Sequence, residues 1–158
     1  VFVGYTGVVH EASSSAPTDT QAAVPEAAAA RDAAPTMLVV DDQRAVRRSI
    51  RRMFDRLGWK VAEADCAHAA LSLLAGQCRD AELVVADVVM PGGMDGIALA
   101  ERIRSQYPGI AVVLVSGHRP QGWKASTEIL EKPFSEQALL DAARRSGLRA
   151  ELCARITT

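Results

Sequence analysis

A five-stranded, doubly wound parallel α/β sheet is the fold class this sequence predicts, and three observations carry it. From Thr36 onward, short apolar runs alternate with segments of helical periodicity. The runs are almost continuously apolar, which suits strands covered on both faces. The chain, 158 residues with 49% hydrophobic and 23% charged side chains, holds one ordinary core and not two. A βα repeat of this length closes most simply with right-handed crossovers, in strand order 2-1-3-4-5 with helices on both faces.

The runs MLVV (37–40), WKVAEA (59–64), ELVVA (82–86), IAVVLV (110–115) and TEIL (127–130) read as strands. Between the first two, Val46, Ile50, Met53, Phe54 and Leu57 share one helix face, and Gly58 stands where a glycine ends a helix. Shorter stripes run through Ala70, Leu71 and Leu74, through Ile97, Ala100 and Ile103, and through Leu139 and Ala143. Leu148, Leu152 and Ile156 recur every four residues, which predicts a helical extension packed on the domain rather than a dimer contact. The expected organisation is a linker over 1–36, a globular domain over 37–146 and a helical extension or tail over 147–158. Residues 11–36 are Ala, Pro, Ser and Thr with almost no large apolar side chain, so they cannot bury enough surface to offset the entropy of ordering.

Composition excludes several function classes. A formal net charge of -1 gives no electrostatic reason for direct nucleic-acid or membrane binding. Cys66, Cys78 and Cys153 lack C-x-x-C spacing and the three histidines are scattered, so neither a disulfide framework nor a zinc site is suggested. A reducing, cytoplasmic compartment fits. The early apolar stretch VFVGYTGVV is far short of a membrane span.

Ligands of such sheets bind beyond the carboxyl ends of the strands. Asp41 and Asp42 follow the first strand, Asp87 the third, Ser116 the fourth and Lys132 the fifth. Singly, each has an ordinary reading as a helix cap, turn former or solvated charge. Together, in that strand order, they meet on one edge. Crowded carboxylates raise one another's pKa, so the arrangement calls for a cation, and a hard one such as Mg²⁺ is the natural choice.

The stretches LVVDDQ, VVADVVMP, LVSG and LEKPF, in this order and spacing, resemble the receiver domain of bacterial two-component response regulators over roughly 37–145. The resemblance implies a flavodoxin-like fold, with Asp87 the phosphoacceptor. It implies Mg²⁺ held by Asp41, Asp42, Asp87 and the backbone carbonyl of Val89, with Ser116 and Lys132 binding the phosphoryl group. Pro133 resembles the family's cis-proline turn. Glycines 92, 93 and 117 are expected to leave room for a donor histidine. The side chains of Val89 and His118 are expected to flank the path of the hydrolytic water and so to set the phosphoryl lifetime.

This sequence also departs from the family. MPGGMDG carries one glycine more than usual. Ile129 occupies the switch position where the family has an aromatic ring. The segment HRPQGWKAS is short, so a stunted or irregular helix is expected between the last two strands, and a homodimer is not predicted. The first helix bears Arg44, Arg47, Arg48, Arg51, Arg52 and Arg56, read as a solvated face, or as a basic surface that steers an acidic phosphodonor.

The expected partner is a histidine kinase or a histidine phosphotransfer protein. The expected parent is a hybrid sensor histidine kinase, with Val1 and Phe2 as the last trace of its ATP-binding domain. A free-standing single-domain response regulator is the alternative. A haloacid-dehalogenase-like phosphatase fits poorly, because no D-x-D follows the first strand. A non-phosphorylated pseudo-receiver fits poorly as well, because every acidic and lysine position is present. Turnover beyond self-phosphorylation and self-dephosphorylation is not expected of the receiver itself.

Overall fold

Residues 36–40 read TMLVV, and successive side chains of such a strand face opposite sides. Met37 and Val39 join one apolar cluster, and Leu38 and Val40 join the other. This is why a continuously apolar run is a central strand here. The computed structural model describes residues 33–121, 123 and 126–157; what was expected of residues 1–32 lies outside them.

The elements run β1 (Thr36–Val40), α1 (Arg44–Arg56), β2 (Lys60–Ala64), α2 (Ala67–Ala75), β3 (Ala81–Asp87), α3 (Gly96–Gln106), β4 (Ala111–Ser116), β5 (Glu128–Glu131), α4 (Glu136–Arg145) and α5 (Ala150–Arg155). The sheet is five-stranded in order β2-β1-β3-β4-β5, with every neighbouring pair parallel. Fold class and strand order are those the sequence predicts.

One face packs β1, β3 and β4 against α1, α4 and α5 through Ile50, Phe54, Leu139, Leu140 and Ile156. The other packs them against α2 and α3 through Leu74, Leu99 and Ile103. Each fully buried Leu, Ile or Phe contributes about 1.5–3 kcal/mol relative to exposure. Leu148, Leu152 and Ile156 all lie in the first cluster, so α5 is bound to the domain by its apolar stripe.

α1 ends as its sequence suggests. Gly58 has φ +79°, and its N–H donates to Asp55 O while the Trp59 N–H donates to Phe54 O. That pair of bonds is a Schellman motif, which satisfies the last carbonyls of the helix. Its hydrophobic contact is the edge-to-face pair of Phe54 and Trp59, with ring centroids 5.6 Å apart.

Among the described residues between β4 and β5 there is no helix. This agrees with the shortness of that segment. No helix among the described residues is long and apolar enough to cross a membrane.

Candidate functional site

The carboxyl edge of the sheet is built one strand at a time. The last sheet bond beyond β1 runs from the Asp41 N–H to Ala64 O at 3.1 Å. Asp41 then turns the chain through its own side chain, with Oδ1 accepting from the Gln43 N–H at 2.8 Å. Neither aspartate is a helix cap: Gln43 occupies the N-cap of α1. Asp41 is buried at 1% exposure and Asp42 is exposed, so the pair offers one enclosed and one solvent-facing carboxylate.

Asp87 is the last residue of β3, the strand between β1 and β4, and is 5% exposed. Its Oδ1 accepts from the Val89 N–H at 3.2 Å. The following loop is shaped by glycine. Gly92 and Gly93 have φ of +98° and +82°, conformations that side-chain-bearing residues rarely adopt, and nothing lies within 4 Å of a Cβ built on either. Their role in this structure is therefore in backbone conformation. Asp95 caps α3 by accepting from the Ala98 N–H at 2.8 Å.

Gly96, the first residue of α3, is the tightest point. A Cβ there would sit 2.0 Å from the carbonyl oxygen of Asp87 and 2.8 Å from its carbon. Only glycine lets the helix start against the acceptor's own peptide, where its N–H donates to Val88 O at 2.8 Å. Nothing in the local periodicity marks Gly96; an Asp-Gly pair opening a helix is the available signal.

Lys132 reaches the site from just past β5. Its backbone N–H donates to Ser116 O at 2.7 Å, and the Lys132–Pro133 peptide is cis. Nζ donates to Asp41 Oδ2 at 3.0 Å and to Asp87 Oδ2 at 2.9 Å. Burial pushes the Asp41 carboxyl above its ordinary value, more strongly than the Gln43 N–H and Lys132 hold it down. Burial alone would lower Lys132, but its hydrogen bonds to Asp87 and Asp41 outweigh that and hold it above its ordinary value. The ammonium is therefore charged at neutral pH.

Three carboxylates face one ammonium, so the cluster keeps a negative surplus. Oxygens of Asp41, Asp42 and Asp87 all lie within 4.8 Å of one another. Hard oxygen donors, two enclosed and one open to water, fit a small divalent ion such as Mg²⁺ that retains part of its hydration shell. The acidic cluster is thus positioned to coordinate such a metal.

The other predicted residues are placed as follows. Ser116 ends β4, 3% exposed, and its hydroxyl donates to His118 O at 2.6 Å, away from the carboxylates. His118 is exposed, and its N–H donates to Ser116 Oγ at 3.3 Å. The Val89 side chain is 73% exposed beside the acceptor loop. Ile129 pairs with Leu114 and packs on the cluster that includes α2 and α3. Pro133 is exposed. Gly117 has open space around it.

The arginines of α1 form the expected solvated face except at Arg47, and some of them are tied in ion pairs. Arg51 pairs with Asp55 and Glu63, and Arg56 with Glu136. Arg47 is drawn inward, its side chain 15% exposed. Arg48, Arg52 and Arg56 remain exposed along a groove of about 860 Å³ that reaches Lys132, Pro133 and Phe134.

Comparison with known proteins agrees with this geometry. Residues 37–144 match the family model of the response regulator receiver domain. The C4-dicarboxylate transport transcriptional regulatory protein DctD of Pseudomonas aeruginosa is 37% identical over 122 residues, 73% of this chain and 26% of that protein. The sensor kinase CckA of Brucella abortus is 34% identical over 110 residues, 66% of this chain and 12% of that protein. The signal receiver domain of an HD domain-containing protein from Pseudomonas fluorescens Pf-5 superposes with a TM-score of 0.65 at 30% identity, over 72% of this chain and 94% of that one. The chain spans about a quarter of the length of the DctD proteins and of FleR. On the fold, the acidic edge and these matches, the chain belongs to the response regulator receiver domain family of two-component signalling.

Proposed function

We propose that this chain is the phosphoacceptor of a His-Asp phosphorelay and that Asp87 takes the phosphoryl group. The observation that supports this best is the buried Asp87 carboxylate, bonded to Lys132 at 2.9 Å and grouped with Asp41 and Asp42. Family membership implies a histidine kinase or a histidine phosphotransfer protein as partner. In this reading a carboxylate oxygen of Asp87 attacks the phosphorus of the partner's phosphohistidine in line. The P–N bond breaks, the imidazole leaves with its electron pair, and an acyl phosphate remains on Asp87.

Each side chain then has a task. Lys132, already at the acceptor, follows the arriving charge onto a phosphoryl oxygen. Ser116 rotates its hydroxyl from His118 O to a second phosphoryl oxygen. Asp41, Asp42, Asp87 and the Val89 carbonyl would hold Mg²⁺, which when bound would supply charge neutralisation at the phosphoryl oxygens. Val89 and His118 govern access of the water that hydrolyses the anhydride. Ile129, having no ring, takes no part in an aromatic switch, and Pro133 shapes the turn that presents Lys132. The domain itself performs no other turnover, contacts neither nucleic acid nor membrane, and is not proposed to dimerise.

A response regulator is the better-supported parent. DctD, FleR, MprA and FixJ, whose names say regulator, match over 107–122 residues at 32–37% identity. The hybrid-kinase reading is supported by the sensor kinase CckA of Brucella abortus and by the solved receiver domain of a hybrid histidine kinase CckA, which superposes with a TM-score of 0.59 at 27% identity. An antibody against this chain separates the two readings. A free-standing regulator gives an endogenous band of single-domain size, a multidomain regulator a larger one, and a hybrid kinase one that also carries histidine kinase activity.

The acceptor is tested by labelling with acetyl phosphate. The parent is expected to incorporate base-labile phosphate that hydroxylamine releases, and Asp87→Asn none. Undiminished labelling of the Asn variant overturns the assignment.

A further inference from the structure

Arg47 stands apart from the other arginines of α1. Its Nη1 donates to Asp41 O at 2.6 Å and to Asp42 O at 3.3 Å, and its Nε donates to Glu63 Oε2 at 3.3 Å. Glu63 lies on β2 and accepts a second guanidinium, Arg51 Nη1, at 2.9 Å. The β1–β2 pairing ends at Val40 and Ala64. Beyond it the two aspartate carbonyls have no strand to bond, and the part-buried carbonyl of Asp41 in particular needs a donor, that of Asp42 being exposed. Arg47 supplies that donor to both.

We propose that Arg47, gripped by Glu63, is a positioning residue of the metal site. It fixes the peptide planes from which the Asp41 and Asp42 side chains project. By occupying both carbonyl oxygens, it leaves the carboxylates to serve as donors to the cation. Mg²⁺ tolerates little displacement of its oxygen ligands, so a loop that wanders loses affinity even with every ligand present. Glu63 has a second effect. It offsets the guanidinium charge, so that Arg47 does not turn to the carboxylates as a rival cation. A lysine could not replace the fork, because one ammonium cannot hold a carboxylate on one side and two carbonyls on the other. An ordinary ion pair of Arg47 with Glu63 would be worth little and would not explain why Nη1 is spent on two backbone oxygens.

The inference rests on the metal reading, and the experiment keeps the two apart. Mg²⁺ is titrated into the full chain and followed by the amide shifts of Asp41, Asp42 and Asp87. A parent that binds no Mg²⁺ overturns both the site and the clamp. If the parent binds, Arg47→Gln is expected to weaken Mg²⁺ by about tenfold or more, in the range typical of groups that support metal ligands. Glu63→Gln is expected to weaken it several-fold, and Arg47→Lys to fall between Arg47→Gln and the parent. The double variant Arg47→Gln/Glu63→Gln should be no worse than Arg47→Gln alone, since Glu63 acts through Arg47. Leu152→Ala, a destabilising change in α5, supplies the control and should leave affinity unchanged. If Arg47→Gln fails to fold, Glu63→Gln and Arg47→Lys carry the same test. Parental affinity in the Arg47 and Glu63 variants, or an equal loss in Leu152→Ala, overturns the clamp.

Discussion

The two ends of the ligand edge are built to different standards. Around β1 and β3, every turn is tied by several bonds. Asp41 is held through its N–H, its carbonyl and both carboxylate oxygens, and Asp87 through both of its carboxylate oxygens. Among the described residues between β4 and β5, the ties come from side chains reaching in from the surface. Trp123 Nε1 donates to Thr127 O at 3.3 Å, and Arg104 Nη1 donates to Ser126 Oγ at 2.9 Å. The Ser116 hydroxyl bonds only within its own turn, to His118, while the backbone carbonyl of Ser116 accepts from the Lys132 N–H. Three carboxylates that repel one another must be held by a frame that cannot relax. A hydroxyl that must change partners is better placed on a segment that can.

Two glycines break this comparison most sharply. Gly96→Ala puts a methyl 2.0 Å from the Asp87 carbonyl, against backbone that cannot swing aside. Overpacking of this kind costs about 1–3 kcal/mol, occasionally more. Any relief must displace the acceptor, so labelling of Asp87 should fall together with stability. Gly117→Ala meets nothing within 4 Å and has no left-handed φ, so it should change stability by less than about 0.5 kcal/mol. Urea melts of the two variants beside the parent measure the difference, and equal losses would show that the two loops are equally constrained.

The next effect is smaller and lies on the looser side. Trp123 is partly buried against the cluster that holds Ile129. Trp123→Ala should cost less than the roughly 3–5 kcal/mol of a fully buried aromatic. It should leave the labelling rate of Asp87 within about twofold, since rate follows barrier and no bond runs from Trp123 to the carboxylates. A strong fall in labelling would mean that the two regions are coupled in the resting state.

Signal lifetime probes the rim shared by both regions. Val89 exposes a branched apolar side chain beside an acceptor whose Oδ1 its own N–H binds. Val89→Asn should speed loss of the phosphoryl group several-fold, roughly 1 kcal/mol of barrier, if the methyls obstruct water. His118→Ala should slow it only if the imidazole orients that water. Decay of labelled protein in each variant decides. No change in either would place the water path elsewhere.

How much of this was legible follows from the range of the forces involved. Strands and their order were readable because apolar runs and helical stripes are local, and each strand lies within a residue or two of its predicted bounds. The acidic edge followed from strand order alone. Gly96 was not readable, because what forbids a side chain there is a carbonyl nine residues back, across a loop whose path no spacing encodes. Arg47 was misread as one solvated arginine among six. Its inward turn depends on Glu63, 16 residues away on β2, and on two carbonyls with no strand to bond. Periodicity reports which face of a helix is apolar, and it is silent about which cation at the border of that face finds a buried partner.

The smallest effect tests that border in a second way. The Arg51 hydrogen bond, and after it the one from Arg47, holds the Glu63 carboxyl below its ordinary value of 4.5 despite partial burial. A depressed folded-state pKa stabilises the fold above the unfolded value, and that contribution drains away as pH falls through the folded value. The parent should therefore lose more stability than Glu63→Gln between roughly pH 5 and pH 3, because the glutamine has no charge to lose. At neutral pH the variant should be the less stable by no more than about 1 kcal/mol, the scale of partly exposed ion pairs. Because carboxylates remote from this grip are common to both proteins, the difference between their stability curves reports on Glu63 and the arginines it pairs with. A difference that stays constant across the acidic range would mean that the Arg47–Glu63–Arg51 grip does not depend on charge.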